Sequence, residues 1–165
     1  MQRFNTKQLV VMGLMIAMEI ILSRFLAIQT PTIRIGFGFL AIAVTAMLYG
    51  PISAAIVGAL ADIIGVTFFT GNALFPGFTV TAVLMGLVYG LFMHKRMGKT
   101  MPIVIAVLIV TIVLQLGLDT HWVHMLTGTP HIALLPPRVI RTIIMIPVQI
   151  ILIKVIARVL ISEWR

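Results

Sequence analysis

The sequence predicts an all-α integral membrane protein, a single domain over residues 1–165 that folds as a bundle of six transmembrane helices. Of the 165 residues, 61% are hydrophobic and only 10% are charged, whereas a soluble domain carries about 25% charged residues. The apolar residues also fall into six runs with Gly, Pro and polar residues between them, as expected for membrane helices and their turns. Cysteine is absent, so neither disulfides nor thiol chemistry is expected.

The six runs are each predicted to form one helix. The first, from Gln8 to Ile28, is longer than the apolar core of a signal peptide and contains Glu19, so we expect it to remain as a membrane helix. The later runs cover residues 36–49, 51–69, 76–92, 102–118 and 137–161, and residues 119–135 between the last two are predicted to form a loop. The second spans about 21 Å at 1.5 Å per residue, which is short for a bilayer core of roughly 30 Å. In the fourth, Gly86 and Gly90 form a small-residue pair that permits close helix packing.

Basic residues predict the orientation of the bundle. Most of them lie near the two ends of the chain and in the loop after the fourth run, at Arg3, Lys7, Lys95, Arg96, Lys99, Lys154, Arg158 and Arg165. Because Lys and Arg concentrate in cytoplasmic loops, both termini are predicted to be cytoplasmic. The net charge of +8 then fits contact with anionic lipid, and no nucleic-acid partner is expected.

Three ionisable residues lie within the first and third predicted membrane helices. Glu19 and Arg24 lie in the first helix and Asp62 in the third. An isolated charge in lipid is costly, so we expect one of the two acids to pair with Arg24 or another inward-facing arginine. Glu19 and Arg24 are five residues apart, a spacing that does not place them on one face of an α-helix.

The segment 119–149 contains most of the chemistry of the chain. Its sequence is DTHWVHMLTGTPHIALLPPRVIRTIIMIPVQ. Pro136 and Pro137 suit the first turn of a helix, where a missing N–H costs nothing. Arg138 and Arg141 would follow on one face, three residues apart. Near a helix N-terminus they predict an anion site, although arginines at helix ends also reach out to water and headgroups without binding a ligand.

The outer face of the predicted bundle combines cations with aromatic rings. Four arginines there, with aromatic and hydrogen-bonding neighbours that include Asp119, predict a pocket for a flat, hydrogen-bonding ring with an acidic tail. The candidate ligand-binding residues are Arg24, Arg34, Phe37, Asn72, Phe75, His121, Trp122, Arg138 and Arg141. Aromatic residues in such positions also form ordinary interfacial belts.

Other chemistries find less support. His121, His124 and His131 are possible zinc ligands, but their spacing matches no strong metal motif, so no metal is predicted. A membrane enzyme that uses His121, His124 and Asp119 as acid–base groups remains an alternative, as does a structural membrane protein without a ligand. The chain lacks a phosphate-binding loop and any visible inverted repeat, so a small six-helix protein with an outward-facing pocket would need partners to supply energy.

The chain resembles the substrate-binding S components of energy-coupling factor (ECF) transporters, and among them the folate-specific type. The resemblance lies in LSRFLAIQTPTIRIGFGFL, YGPISAAIVGALADIIG, NALFPGFTVTAVLMGLVYGLF and the segment 119–149, in the order found in the family. It implies a six-helix fold in the bacterial cytoplasmic membrane and an extracellular vitamin pocket roofed by the loops after helices one, three and five. Within the same class, an S component for pantothenate or a pyrimidine precursor is the alternative.

The resemblance also implies a set of partners. A membrane coupling subunit with two cytoplasmic ATPases would use ATP, so no cofactor is expected in this chain and no enzymatic activity. A small-residue pair on the first helix meets the coupling subunit in that family. Gly13 and Ala17 match this pair, with glycine where the family usually has alanine.

Overall fold

The structure is a computed structural model, and it describes residues 5–29, 34–69, 75–96 and 99–163. Its helices are α1 (Thr6–Ile20), α2 (Phe39–Tyr49), α3 (Pro51–Phe69), α4 (Pro76–Met93), α5 (Thr100–Leu108), α6 (Asp119–Thr127) and α7 (His131–Glu163). Two π-helical segments, Ile21–Phe25 and Ile109–Leu118, extend α1 and α5. The antiparallel strands β1 (Ile28–Gln29) and β2 (Arg34–Ile35) pair in the connection from α1 to α2.

The helical membrane architecture is confirmed. Within the described ranges, five helices are long and apolar enough to cross a membrane: Thr6–Phe25, Pro51–Phe69, Pro76–Met93, Thr100–Thr127 and His131–Ser162. The apolar helix α2 has 11 residues, which gives about 16 Å at 1.5 Å per residue. It is therefore shorter than a bilayer core, as its sequence predicted.

The predicted loop after the fifth helix is wrong. Residues 119–135 were expected to be a loop, but the helix that begins at Thr100 continues without a break through its π-helical segment into α6 and ends at Thr127. Gly128 adopts φ 68° and closes the helix in the left-handed conformation, which glycine tolerates. Polar residues suggested a loop, yet Asp119 and Thr120 lie on the inward side of this helix, where they contact α7.

The predicted start of the last helix is also wrong. The helix α7 begins at His131, so Pro136 and Pro137 lie inside it rather than in its first turn. The turn that starts the helix is built on Pro130, whose carbonyl accepts the N–H groups of Ala133 and Leu134. Arg138 is consequently two turns inside the helix. Because the helix dipole acts mainly within the terminal turn, the predicted anion site at the N-terminus of this helix is not formed.

The closest helix contact joins α3 to α4 through glycines. A Cβ added to Gly86 would lie 2.5 Å from the backbone of Ala54, and one added to Gly58 would lie 2.7 Å from the carbonyl oxygen of Ala82. A Cβ on Gly90 would collide with Pro51. These contacts confirm the predicted packing role of Gly86 and Gly90, since only a residue without a side chain allows such close backbone approach.

Two hydrogen bonds mark the end of the bundle at which α1 and α3 begin. Gln8 donates to the Ser53 hydroxyl at 2.9 Å, and the His94 ring is hydrogen-bonded to the Met47 carbonyl at 3.3 Å. We call this the opposite end. The other end, which holds Arg24, Arg138 and Arg141, is called the arginine end. Between the two ends lies an apolar core of residues from α2, α3, α4, α5, the π-helical segment that follows α5, and α7.

Candidate functional site at the arginine end

An ion pair links the first and third helices. Arg24 Nη2 lies 3.7 Å from Asp62 Oδ1, and the Arg24 side chain is 7% exposed. The other oxygen of Asp62 accepts a hydrogen bond from the Thr79 hydroxyl of α4 at 2.9 Å. The predicted pairing of Arg24 with a membrane acid is confirmed, and Asp62 is its partner.

Gly65 makes room for the arginine of this pair. A Cβ at Gly65 would lie 2.9 Å from Arg24 Nε, so the guanidinium packs against α3 at a position that has no side chain. Gly65 follows Asp62 by three residues, and the two therefore share one face of α3. The glycine lets a long side chain reach its acid across a close helix contact.

Glu19 also lies near Arg24, which the spacing did not predict. Its charge acts on Arg24, although five residues separate the two. The π-helical segment Ile21–Phe25 explains this proximity, because its wider turn brings residues five apart toward the same face. A Cβ at Gly38 would lie 2.6 Å from Glu19 Oε1, so this carboxylate sits beside the start of α2. Helix N-termini favour negative charge, which accounts for an acid at this depth.

A second charged group joins α6 to α7. Arg138 is 8% exposed, and its Nη1 donates to the Thr120 hydroxyl at 3.1 Å. Asp119, one residue earlier on α6, lies close enough to attract both Arg138 and Arg141, and it also lies beside the Thr81 hydroxyl of α4. The two arginines therefore face an acid of the same chain.

Aromatic rings form one wall beside these charges. The ring centroids of Phe75 and Trp122 are 5.8 Å apart, and those of Phe75 and Phe78 are 5.9 Å apart. The indole Nε1 of Trp122 donates to the Thr81 hydroxyl at 3.2 Å, which fixes the ring orientation. A Cβ at Gly77 would lie 2.5 Å from both aromatic rings that flank it, Phe75 and Trp122, so glycine is required there. The wall offers stacking surface next to charged groups.

The three histidines lie together at the rim of this group. The His131 ring is 4.1 Å from that of His124 and 5.9 Å, nearly parallel, from that of His121. His124 Nδ1 is 2.7 Å from the Thr129 carbonyl oxygen, so one ring nitrogen is already in use. In the part of the chain that the structure describes, no group of three or more His, Asp or Glu side chains has a metal-binding arrangement.

The charged groups keep free hydrogen-bonding capacity. Among the described residues, the Nε atoms of Arg24, Arg138 and Arg141 are buried and make no hydrogen bond, and the same holds for Asp119 Oδ1. An unmade hydrogen bond of a buried charged group costs free energy. Donors and an acceptor without partners, set beside aromatic rings, suit a ligand that is flat, polar and at least partly anionic.

The structure brings most of the described candidates together. Arg24, Phe75, Trp122, Arg138 and Arg141 belong to the two charged groups and the aromatic wall described above, and His121 lies at the rim, with its ring 5.5 Å from that of Trp122. Phe37 instead packs against the apolar core and lies 6.5 Å from the ring of Phe39. The side chain of Arg34 and the whole of Asn72 lie outside the described residues.

Sequence reasoning missed the hydroxyl groups of the site. Thr79, Thr81 and Thr120 each bond or adjoin a charged or indole group there. No local signal marks them, because a threonine in a membrane helix ordinarily bonds a carbonyl of its own helix. Thr81 makes such a bond too, to the Gly77 carbonyl at 3.2 Å. Only the positions of neighbouring helices distinguish these threonines from others in the chain.

The chain has clear relatives among known proteins. Residues 3–163 match the model of the family described as ECF-type riboflavin transporter, S component. The chain belongs to this family. An S component is part of a transporter rather than an enzyme, so the alternative of a membrane enzyme built on His121, His124 and Asp119 is set aside. Membership also agrees with the apolar helices, and the chain is a membrane protein.

Individual relatives are similar over most of their length. The folate transporter FolT of Clostridium novyi strain NT is 40% identical over 145 residues, which are 88% of this chain and 84% of that protein. The folate transporter FolT of Leuconostoc mesenteroides subsp. mesenteroides is 33% identical over 155 residues, 90% of this chain and 83% of that protein. A crystal structure of FolT bound with folic acid matches with a TM-score of 0.89 and 33% identity, over 93% of this chain and 94% of the other. These relatives agree with the predicted resemblance to S components of the folate-specific type.

Proposed function

We propose that this S component binds folate at the arginine end of the bundle. The proposal is supported most directly by the group of Arg138, Arg141 and Asp119 near Trp122. The Nε donors of the two arginines and the Oδ1 acceptor of the acid are buried and make no hydrogen bond among the described residues. Folate presents a flat pteridine ring, ring donors and acceptors, and a tail with two carboxylates. The similarity to two folate transporters and to a FolT structure with folic acid supports the same ligand.

The charges of the site favour folate over riboflavin, which the description of the family names. Riboflavin has a flat ring but no carboxylate. Arginines in a membrane protein are costly unless they are paired or bind a ligand, and this end of the bundle holds three of them with unused Nε donors. An arginine fork binds carboxylates and ring oxygens through parallel N–H groups. An anionic vitamin such as pantothenate, or a pyrimidine precursor, shares only part of this chemistry.

The proposed membrane topology rests on the distribution of basic residues and on the number of helices. The short apolar helix α2 completes a set of six membrane helices, and both termini lie in the cytoplasm. The arginine end then faces the outside of the bacterial cell membrane, where the vitamin arrives. This orientation is supported by the basic residues Lys95, Arg96 and Lys99, which adjoin the end of α4 and the start of α5.

The proposed partners supply the energy for uptake. A membrane coupling subunit with two cytoplasmic ATPases would hydrolyse ATP, and this chain would carry the vitamin. Gly13 and Ala17 on α1 are the proposed docking surface. Both are exposed, and a Cβ at Gly13 would lie within 4 Å of no atom from another helix in the part of the chain that the structure describes. A surface of small residues lets a helix of the partner approach closely.

A vitamin titration of the purified protein tests the proposal. Folic acid should bind tightly, while riboflavin and pantothenate should bind at least about 100-fold more weakly, because each lacks either the charge or the ring that the site complements. Protein purified without added ligand should also carry a pterin absorbance. Saturable tight binding of riboflavin with no binding of folic acid would reject the folate assignment.

A further inference from the structure

Two basic residues of α7 lie near the opposite end of the bundle, far from the candidate site. Lys154 is half-buried, and Arg158 is exposed one helical turn further along the same face. Among the described residues, the structure contains one ion pair, that of Arg24 with Asp62 at the arginine end. A cation in a membrane helix is costly unless another group offsets its charge. The charges of Lys154 and Arg158 therefore require an explanation.

The acidic residues of the chain lie too far away to offset these charges. Of the four acids in the sequence, three belong to the arginine end: Glu19, Asp62 and Asp119. The fourth, Glu163, follows Lys154 by nine residues, which is about 13.5 Å along the helix at 1.5 Å per residue. It follows Arg158 by five residues, a spacing that places the two on different faces of an α-helix. An anion for Lys154 must therefore come from outside the chain.

The height of the pair matches the boundary of the membrane. The Tyr89 hydroxyl of α4 donates to Gln149 Oε1 of α7 at 3.2 Å, which relates the heights of two helices that run in the same direction. The helix α4 ends four residues after Tyr89, at Met93. Lys154 follows Gln149 by five residues, so it lies near the level at which this membrane-spanning helix ends. Headgroups of lipids lie at that level, and Arg158 is about 6 Å further out.

The pair adjoins an apolar surface. On its outer face, α7 exposes the aliphatic side chains of Ile151, Val155 and Val159. On its inner face it buries Ile153 and Ala157. At 3.6 residues per turn, Lys154 and Arg158 lie between these two faces. A ligand at this place would set a negative group against the cations and apolar chains along the exposed aliphatic residues, and a phospholipid has both parts.

We propose that Lys154 and Arg158 bind the phosphate group of an anionic phospholipid, whose acyl chains lie along the exposed aliphatic residues of α7. The phosphate supplies the negative charge that the acids of the chain do not supply at this height. A zwitterionic headgroup carries its own cation beside the phosphate, so it offsets the two charges less well. Basic residues at this boundary of membrane helices are suited to such headgroups. The site is separate from the proposed vitamin site and does not depend on which vitamin binds there.

A lipid titration of the purified protein tests this site. Protein in detergent is titrated with phosphatidylglycerol or with phosphatidylcholine of the same acyl chains, and native mass spectrometry counts the bound lipids. One phosphatidylglycerol should bind at least about 10-fold more tightly than phosphatidylcholine, because each cation near an anionic headgroup contributes about 5-fold. Equal binding of the two lipids by the unaltered protein would overturn the inference.

A double substitution then tests the two residues. Lys154→Gln together with Arg158→Gln should reduce the preference for phosphatidylglycerol to within about 3-fold. The matched control is Lys95→Gln together with Arg96→Gln, which removes the same charge from two exposed residues that follow α4. This control should keep the full preference. An equal loss in both double variants would show that diffuse positive charge attracts the lipid, and the site would be rejected.

Two other occupants of the site give different results. If millimolar inorganic phosphate displaces the lipid, the cations bind a soluble anion and the lipid assignment is wrong. If the Lys154 and Arg158 double variant keeps its lipid preference but loses ATP-driven uptake with partner subunits, the pair contacts a protein instead. Should the double variant fail to fold, Arg158→Gln alone must lower the preference by about 5-fold. In the same series, Lys154→Arg keeps the charge and must keep the preference.

Discussion

The two ends of the α3–α4 pair are held together by different chemistry. Toward the opposite end, Gly86 lies against the Ala54 backbone and Gly90 against Pro51. Toward the arginine end, the same helices are joined by the hydrogen bond from Thr79 to Asp62, and Arg24 completes the network. The glycine contacts need no hydrogen bond, whereas at the charged end the Nε atoms of three arginines have no partner among the described residues. The packed end therefore serves stability, and the charged end keeps groups available for binding.

A similar contrast separates two small-residue pairs. Gly86 and Gly90 are buried against α3, but Gly13 and Ala17 on α1 are exposed, and no atom from another described helix lies within 4 Å of a Cβ at Gly13. The sequence pattern is the same, small residues four apart. In lipid, association of helices depends on close packing rather than on the hydrophobic effect. An exposed pair of this kind is thus suited to a helix of another protein.

The largest expected effect is loss of the fold at the packed end. Gly86→Leu would force four carbon atoms into backbone contacts already at their limit, and we expect a loss of stability of more than about 3 kcal/mol. Recovery of monodisperse protein in detergent, together with its thermal unfolding, measures this effect. Gly13→Leu is the matched control and should fold normally. Normal stability of the Gly86 variant would show that α3 and α4 separate without penalty.

The exposed pair should affect transport rather than folding. We expect Gly13→Leu or Ala17→Leu, tested one at a time, to retain ligand affinity and to abolish ATP-driven uptake in the presence of partner subunits, because a large side chain holds a partner helix away. Ligand titration and vesicle uptake measure the two properties. A variant that binds and transports at the normal rate would exclude this face as the docking surface.

The arginines of the charged end should affect ligand binding. Arg138→Ala removes a buried cation at a cost of roughly 2–5 kcal/mol if the ligand is left with an unpaired acidic group, so folate affinity should fall tens-fold or more. Calorimetric titration measures it, with Arg24→Ala, Arg34→Ala and Arg141→Ala in parallel. Unchanged affinity in all four variants would remove the arginines from the site.

The smallest effect is expected from the internal ion pair. Asp62→Asn keeps the shape of the side chain and leaves Arg24 with a weaker partner, so stability should decrease by about 1–3 kcal/mol. Good yield with reduced ligand affinity would indicate that the pair positions the site. A collapse in yield would show that the ion pair is needed for folding. The charged end would then contribute to stability as the packed end does.

Much of the fold follows from sequence because lipid leaves few choices. Unsatisfied backbone groups are very costly in a bilayer, so long apolar runs must be helical, and the run 51–69 was predicted with the bounds that α3 has. The region 119–135 was misread because its polar residues resemble a loop. They are polar for a different reason, since Asp119 and Thr120 face the arginines of α7.

The residues of the candidate site were also predicted only in part from the sequence. Arg24, Trp122, Arg138 and Arg141 stand out in sequence, since charged or bulky polar groups are conspicuous against an apolar background. Their partners do not, because Thr79 and Thr81 gain their roles only from the helix that lies opposite. The proximity of Glu19 to Arg24 also depends on a π-helical turn. The spacing rule for α-helices does not predict this proximity.

Composition and the length of the apolar runs are enough to predict a helical membrane protein with arginines that require an explanation. Which acid lies near each arginine, and which small-residue pair is left exposed, follow only from the packing of the helices. Both depend on distances between helices that are far apart in the chain, and a linear pattern does not contain those distances. Gly86 and Gly13 have the same local preferences, but only one of them meets a neighbouring backbone.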